Sequence, residues 1–428
     1  MFKIGCAEKM LEVPLFAELY GYGPFAGRRN QGVLEPLFAR AFSFFDGEKR
    51  VLMLYADTCT ISDPYTDDFR AILGEKYGIA PECISLSATH THSAPSLGRG
   101  CSPSSGVPHP EYIKTFVETI LEVADRAIAN EEEIVKAEAG KAPLSVKVGV
   151  NRVDPENGPT DPAIRWVRFF KKDGSCKVII HNHGVHGIAS NMGIARLVSS
   201  DWMGAANRLI KEKELCEMPL YFQGPAGNIN TVNSYHKTPD MKISEIVAST
   251  YVEDLANDFA NGTEIPLGKF TCSMERFDFP TVKQTAEELR KDAERLRKDG
   301  MTNFAYRFEE MAILEETGKG VYPQIHDLQV IQMGDLSFFF VPGELFIEPG
   351  MEIMERSKAA FPFVVTVSNG NAAYIGTEEN AKRYPSIHQR PDKLFGFYEV
   401  YCYMHFLHFK FVDNIADFVV NNLLKLEK

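Results

Sequence analysis

Residues 51–56, VLMLYA, and residues 84–88, ISLSA, read as two buried strands with a helical stretch at 67–77 between them. Strand, helix, strand is the grammar of an α/β chain, because parallel strands need a crossover long enough to hold a helix. Beyond them, residues 112–129 carry Ile113, Phe116, Val117, Ile120, Leu121, Ala124 and Ile128 at helical spacing, whereas 146–150, 164–170 and 178–181 read as strands. The turn Lys172-Asp173-Gly174 joins the last two as a hairpin. Crossover and hairpin together predict an α/β chain built on a mixed β-sheet with flanking helices.

Thr285-Ala286-Glu287-Glu288 is a capping box, after which Leu289, Ala293 and Leu296 share one helical face while Lys and Arg fill the other. A break at Gly300 leads to a second helical stretch ending near Glu315. This predicts a charged helical hairpin over 283–317, inserted at the surface and shielding part of the core. Strands resume at 328–332 and 337–341 around Met333-Gly334-Asp335, and no internal repeat or low-complexity linker marks a domain cut.

The 428 residues are 44% hydrophobic, 24% charged and 11% aromatic, which excludes disordered and fibrous classes. A net charge of −12, spread along the chain, argues against nucleic acid and anionic membranes as partners and leaves a small-molecule substrate. The first residues lack the pattern of a secretory signal, and apolar runs such as 336–341 and 361–367 fall far short of the ~18 residues of a spanning helix. Eight scattered cysteines with no CxxC pair fit reduced thiols, and a cytoplasmic location is expected. GYGPFAGR at 21–28 lacks the strand and the GKS/T ending of a phosphate loop and is discarded.

Five of the eleven histidines fall in two clusters at strand ends. In SATHTHSAP, His90 and His92 are two apart, so an extended backbone turns both rings to one face. In HNHGVHG, His181, His183 and His186 end a strand, with glycines that let the backbone approach a ligand. Two such strand ends in one sheet are expected to converge at its carboxyl edge and form a metal site. Spacing leaves open which of the three imidazoles binds. Glu344, after an apolar strand and a Pro-Gly turn in SFFFVPGELF, is the best carboxylate candidate.

ATHTHSAP, NHGVHGIAS followed by LVSSDWMG, QGPAGNIN, VPGE and NAAYIGTEENAKRY occur in the order and relative spacing of the neutral/alkaline, non-lysosomal ceramidases. The chain resembles the catalytic domain of that family from GYGPFAGRR to about Tyr384. The resemblance implies one Zn²⁺ on His90, His186, Glu344 and Tyr374. It implies His92 as general acid/base or oxyanion partner, Arg152 of the VNR segment as a substrate or oxyanion clamp, and Tyr384 of KRY as a second hydroxyl donor. Zinc polarises an amide carbonyl and acidifies water, and cationic or hydroxyl donors stabilise the oxyanion.

Two departures shape the functional expectation. The family carries a functional serine where this chain has Asn230, in Gly227-Asn228-Ile229-Asn230-Thr231, and an amide can donate a hydrogen bond but cannot act as nucleophile or proton carrier. The family's C-terminal immunoglobulin-like domain has no counterpart, so residues 1–428 are expected to form a single catalytic domain with the hairpin inserted. The expected activity is zinc-dependent hydrolysis of a linear amide C–N bond in an N-acyl, sphingolipid- or ceramide-like small molecule by an activated water. Ester or cyclic-amide hydrolysis, or a non-catalytic metal- or ligand-binding role, are the alternatives. The amphipathic segment 404–424 is expected to pack on the catalytic domain, because its polar face lacks the Lys/Arg enrichment of a membrane helix. Oligomeric state is not encoded in these patterns.

Overall fold

The computed structural model describes residues 1–22, 27–98, 106–189, 196–232, 242–321, 323–389, 394–405 and 408–428. β1 (Lys3–Leu11), β2 (Leu37–Phe45) and β3 (Arg50–Ala56) form an antiparallel meander, and α1 (Asp63–Tyr77) crosses to β4 (Ile84–Ala88), parallel to β3. Every residue of β4, and of β3 after Arg50, is buried, which is why VLMLYA is a continuous apolar run, and Ser85 and Ser87 of ISLSA are buried with it. α2 (Pro110–Ala129) leads into β5 (Glu132–Pro143), followed by β6 (Gly149–Asn151) and the hairpin β7 (Ala163–Lys171) with β8 (Cys176–His183). α3 (Asp201–Glu212) returns the chain to β9 (Met218–Gln223), parallel to β8. β10 (Ile229–Thr231) pairs with β6, and after α4 (Lys242–Asp258) β11 (Thr263–Ile265) joins β5.

The second half adds β12 (Phe270–Asp278), the helices α5 (Ala286–Lys298) and α6 (Thr302–Glu316), then β13 (Ile325–Met333) and β14 (Leu336–Phe340). β15 (Glu344–Leu345), α7 (Ile347–Arg356), β16 (Phe361–Val365), β17 (Tyr374–Ile375), α8 (Glu378–Arg383), α9 (Leu394–Tyr401) and α10 (Ile415–Leu426) complete the chain. The large mixed sheet runs β4-β3-β2-β1-β5-β7-β8-β9, and a four-stranded sheet runs β12-β13-β14-β16. Phe222 of β9 meets Phe338 and Phe340 of β14 edge-on at 6.1 and 5.9 Å, joining the two sheets.

The two histidine segments meet, although their strands lie towards opposite ends of the sheet order. β4 and β9 are opposite edges of the strand order, so a flat sheet would hold the two histidine segments apart. The sheet turns a corner where β1 meets β5 through just two residue pairs, Lys3 with Glu133 and Ile4 with Glu132. Its outer edges then touch, and Thr91 bridges Gly187 in parallel. Closure of the sheet brings the segments after β4 and β8 together.

The capping box forms: Thr285 Oγ1 accepts from Glu288 N, and the Glu288 carboxylate accepts from Thr285 N at 2.7 Å. Leu289, Ala293 and Leu296 are buried against Ala305, Phe308, Met311 and Ala312 of α6, and the same cluster takes in Tyr384 and Phe397. The hairpin thus shields a satellite core. The strand expected at 146–150 is confined to β6, which pairs with β10 outside the main sheet. The C-terminal segment is helical from Ile415 rather than from 404, with Phe406 outside the described residues. α10 buries Ile415, Ala416, Val419, Val420 and Leu423 against the small sheet and α7, at roughly 1.5–3 kcal/mol for each large side chain. No helix among the described residues is long and apolar enough to cross a membrane.

Candidate metal centre

Immediately after β4 the chain bends sharply: His90 has φ 64°, an unusual left-handed conformation for a side chain with a Cβ. Its N–H is held by Thr58 O at 3.0 Å, and its Nδ1–H donates to Cys59 O at 2.9 Å. That bond fixes the tautomer and turns the Nε2 lone pair the other way. His186 repeats the arrangement after β8, with N–H and Nδ1–H both directed at Ile229 O at 3.0 Å. Gly187 makes the approach possible, since a Cβ there would lie 2.7 Å from His90 O and 3.1 Å from Thr91 Cα.

Glu344 starts β15, and its Oε2 lies 3.2 Å from Nε2 of both His90 and His186. The three ligand atoms fall within 4.8 Å of one another. Oε2 of Glu344 and Nε2 of His186 are buried with no hydrogen-bond partner, so the cluster is a set of lone pairs turned inward. Burial opposes ionisation at all three groups. The Glu344 charge nevertheless holds His90 well above the ordinary imidazole range, while His186, buried and facing Arg152, is pushed down to about 4. Glu344 itself is held well below the carboxylate range, burial being outweighed by His90 and His186. The Glu344 carboxylate thus favours positive charge beside it.

His92 sits at the rim of the triad, Nε2 3.2 Å from His90 Nε2 and Nδ1 buried without a hydrogen-bond partner. Burial and the like charges of His90 and His186 hold it neutral. Arg28 donates to His92 O at 2.8 Å, and Tyr22 packs edge-on against its ring at 4.9 Å. Cys59, His90 and His92 form a second close group through the Cys59 thiol.

Tyr374 is brought in by register. β17 pairs in parallel with β15, Tyr374 directly beside Glu344, and Glu344 N donates to Ala373 O at 2.8 Å from a second left-handed residue, φ 57°. The Arg152 guanidinium lies 5.3 Å from the centre of the Tyr374 ring. Arg152 donates from Nη1 to Asn230 Oδ1 at 3.1 Å and from Nη2 to Gly227 O at 2.7 Å, and its Nε lies 2.8 Å from Glu399 Oε1. Its Nη1 and Nη2 donors are thus engaged by protein groups. Asn230 holds Arg152. Tyr384 is 1% exposed within the hairpin's apolar cluster, packed against Phe397, with Gly396 beside its ring.

The remaining histidines of the second cluster point elsewhere. His181 accepts from Tyr251 OH at 3.0 Å and donates to Asn207 Oδ1 at 2.9 Å, and His183 Nδ1 donates to Ala163 O at 3.2 Å with Asp161 at 3.4 Å. Sequence reasoning missed Glu399 and Tyr398, whose ring meets Tyr374 edge-on at 5.8 Å. The one signal for Glu399 was an acid inside the apolar run LFGFYEVY.

No family model matches the chain. Among solved structures, neutral ceramidase from Pseudomonas aeruginosa superposes with a TM-score of 0.76 at 16% identity, covering 100% of this chain and 74% of that one. A ceramidase complexed with C2 gives a TM-score of 0.76 at 17% identity with the same coverage. At such identities the likeness is one of architecture, and it extends over every element that carries the cluster. The chain has the neutral ceramidase fold.

Proposed function

We propose that this chain is a zinc-dependent hydrolase that cleaves the amide C–N bond of an N-acyl, ceramide-like substrate with water as nucleophile. The observation that carries the reading is the meeting of His90 Nε2, His186 Nε2 and Glu344 Oε2, with both Nδ1 protons turned outward to backbone carbonyls. Lone pairs facing one another in a buried site are unfavourable without a cation among them. Two imidazoles and a carboxylate are a donor set of catalytic zinc sites, and carbonyl partners at the far nitrogens are the usual outer support. The residues fit the metal, with Tyr374 as fourth donor from its place beside Glu344.

Zinc held there would supply Lewis-acid polarisation of a carbonyl and acidification of water. His92, neutral and with a free buried Nδ1, takes the proton from the attacking water and delivers it to the leaving amine. Arg152 orients the Tyr374 phenol, Asn230 holds Arg152, and Tyr384 supports the same wall by packing beside Gly396. Residues 1–428 act as one catalytic unit. A reducing cytoplasm suits a chain whose described cysteines are all free thiols.

Two solved structures with this fold carry the name ceramidase, which supports an acyl-lipid amide as substrate. Asn230, at the resembled family's serine position, favours a reshaped acyl pocket, and ester or cyclic-amide hydrolysis is the second reading on that ground. A panel of N-acyl sphingosines, simpler N-acyl amides and matched esters, followed by release of free amine or alcohol, tests both. Amine release from N-acyl substrates, abolished by a zinc chelator, is expected. Zinc-loaded protein inactive on the whole panel would overturn the hydrolase reading.

A further inference from the structure

Glu399 is an acid with a fully buried side chain, at a place where the sequence is otherwise apolar. α9 is broken at Phe395 and Gly396, where φ is 96°, and one Glu399 oxygen accepts the Gly396 N–H. The other faces Arg152 Nε at 2.8 Å. Asn380 Nδ2 donates to Gly396 O at 3.0 Å, tying the same turn to α8. The carboxylate therefore joins the broken start of α9 to a guanidinium on the far wall of the site.

A buried ion pair adds little stability over an apolar pair of the same volume, whereas removing one partner strands the other charge at a cost of several kcal/mol. The placement of this pair is informative. Arg152 presents its face to Tyr374 at 5.3 Å and to Phe395 at 5.0 Å, and its charge reaches Glu344 and His186. A guanidinium without its carboxylate would stay tied to Asn230 and Gly227 but would repel a second cation held by His90, His186 and Glu344. Glu399 sets a carboxylate against that charge, while Asn230 and Gly227 set its direction.

We propose that Glu399 is a positioning residue for the metal centre, acting through Arg152: its carboxylate offsets the guanidinium beside Tyr374, so that a divalent cation and a buried arginine can share one site. The proposal rests on the metal-dependent reading above.

The test is a charge-neutralising double-mutant cycle on residues 1–428, with zinc affinity measured by competition against a chromophoric chelator. Glu399→Gln leaves Arg152 unpaired and is expected to weaken zinc binding about tenfold or more. Arg152→Gln removes the repelling charge together with the support of the Tyr374 phenol, and is expected to weaken zinc binding by no more than about threefold. The double variant, neutral again, should return to within about threefold of the wild type. Activity is a second readout, with kcat lowered in Glu399→Gln and KM little changed. Should Glu399→Gln fail to fold, Glu399→Asp, which keeps the charge on a shorter arm, is expected to retain zinc affinity while losing kcat. Wild-type zinc binding with an unchanged Glu399→Gln, or with additive single effects, would overturn this proposal alone. Wild-type protein that binds no zinc would overturn the proposed function and this inference with it.

Discussion

The segment HNHGVHG contains two kinds of histidine that look alike in sequence and differ in hydrogen-bond accounting. His181 has both ring nitrogens satisfied, by Tyr251 and Asn207, and burial holds it neutral with its pKa lowered to about 4. Five residues on, His186 has one nitrogen satisfied by Ile229 O and the other, without a hydrogen-bond partner, facing a carboxylate and a second imidazole. The first is a core polar group in a finished network. The second is part of an unfinished one, for which the proposed missing partner is a cation. Whether a buried imidazole is structural or ligating is settled by what its second nitrogen meets.

The sharpest way to break this contrast is His186→Ala. Zinc binding and activity should fall to background while the metal-free fold keeps its melting temperature within a few degrees, as read by elemental analysis and thermal denaturation. Retained stoichiometric zinc would remove His186 from the ligand set. His181→Ala should do the opposite. It strands the Tyr251 hydroxyl and Asn207 in the core, at roughly 2–5 kcal/mol by urea denaturation, with zinc content unchanged.

Hydrogen bonding also explains what could be read beforehand. VLMLYA and ISLSA gave β3 and β4, the capping box gave α5, and the order of short motifs pointed to His90, His186, Glu344 and Tyr374, because each of these signals is local. The spacing within HNHGVHG could not by itself choose between His181, His183 and His186, since that choice depends on Tyr251, Asn207, Asp161 and Ile229, which lie outside the motif. The corner between β1 and β5 that closes the sheet rests on two residue pairs and leaves no periodic trace. Glu399 was overlooked for a similar reason: its partner Arg152 is far away in the chain, and its own neighbours are apolar.

A smaller effect sharpens the comparison through pH. Between about pH 6.5 and about 4 the unfolded chain carries a proton at His181 that the folded chain refuses, so folding stability falls as pH drops through that window. The contribution of this one group is about 3 kcal/mol. His181→Gln should flatten the acid limb of stability measured by urea denaturation from pH 7 to 4.5, and an unchanged slope would mean that His181 titrates normally in the fold.

The smallest expected change lies at the residue that touches both groups. Trp202 donates from Nε1 to His186 O at 3.0 Å, and its ring packs on Tyr221 and Tyr251, the latter a partner of His181. Trp202→Phe keeps most of the packing and loses the bond. It should cost about 1 kcal/mol and shift zinc affinity by less than tenfold. A larger loss of zinc would show that the two networks are less separate than their hydrogen bonds suggest.

The most direct test is the metal content of protein purified without added metal, measured side by side for the wild type, His181→Ala and His90→Ala/His186→Ala. About one zinc per chain in the wild type and in His181→Ala, and none in the double variant, is the predicted result. Absence of metal from the wild type, or zinc that survives loss of both His90 and His186, would contradict the assignment.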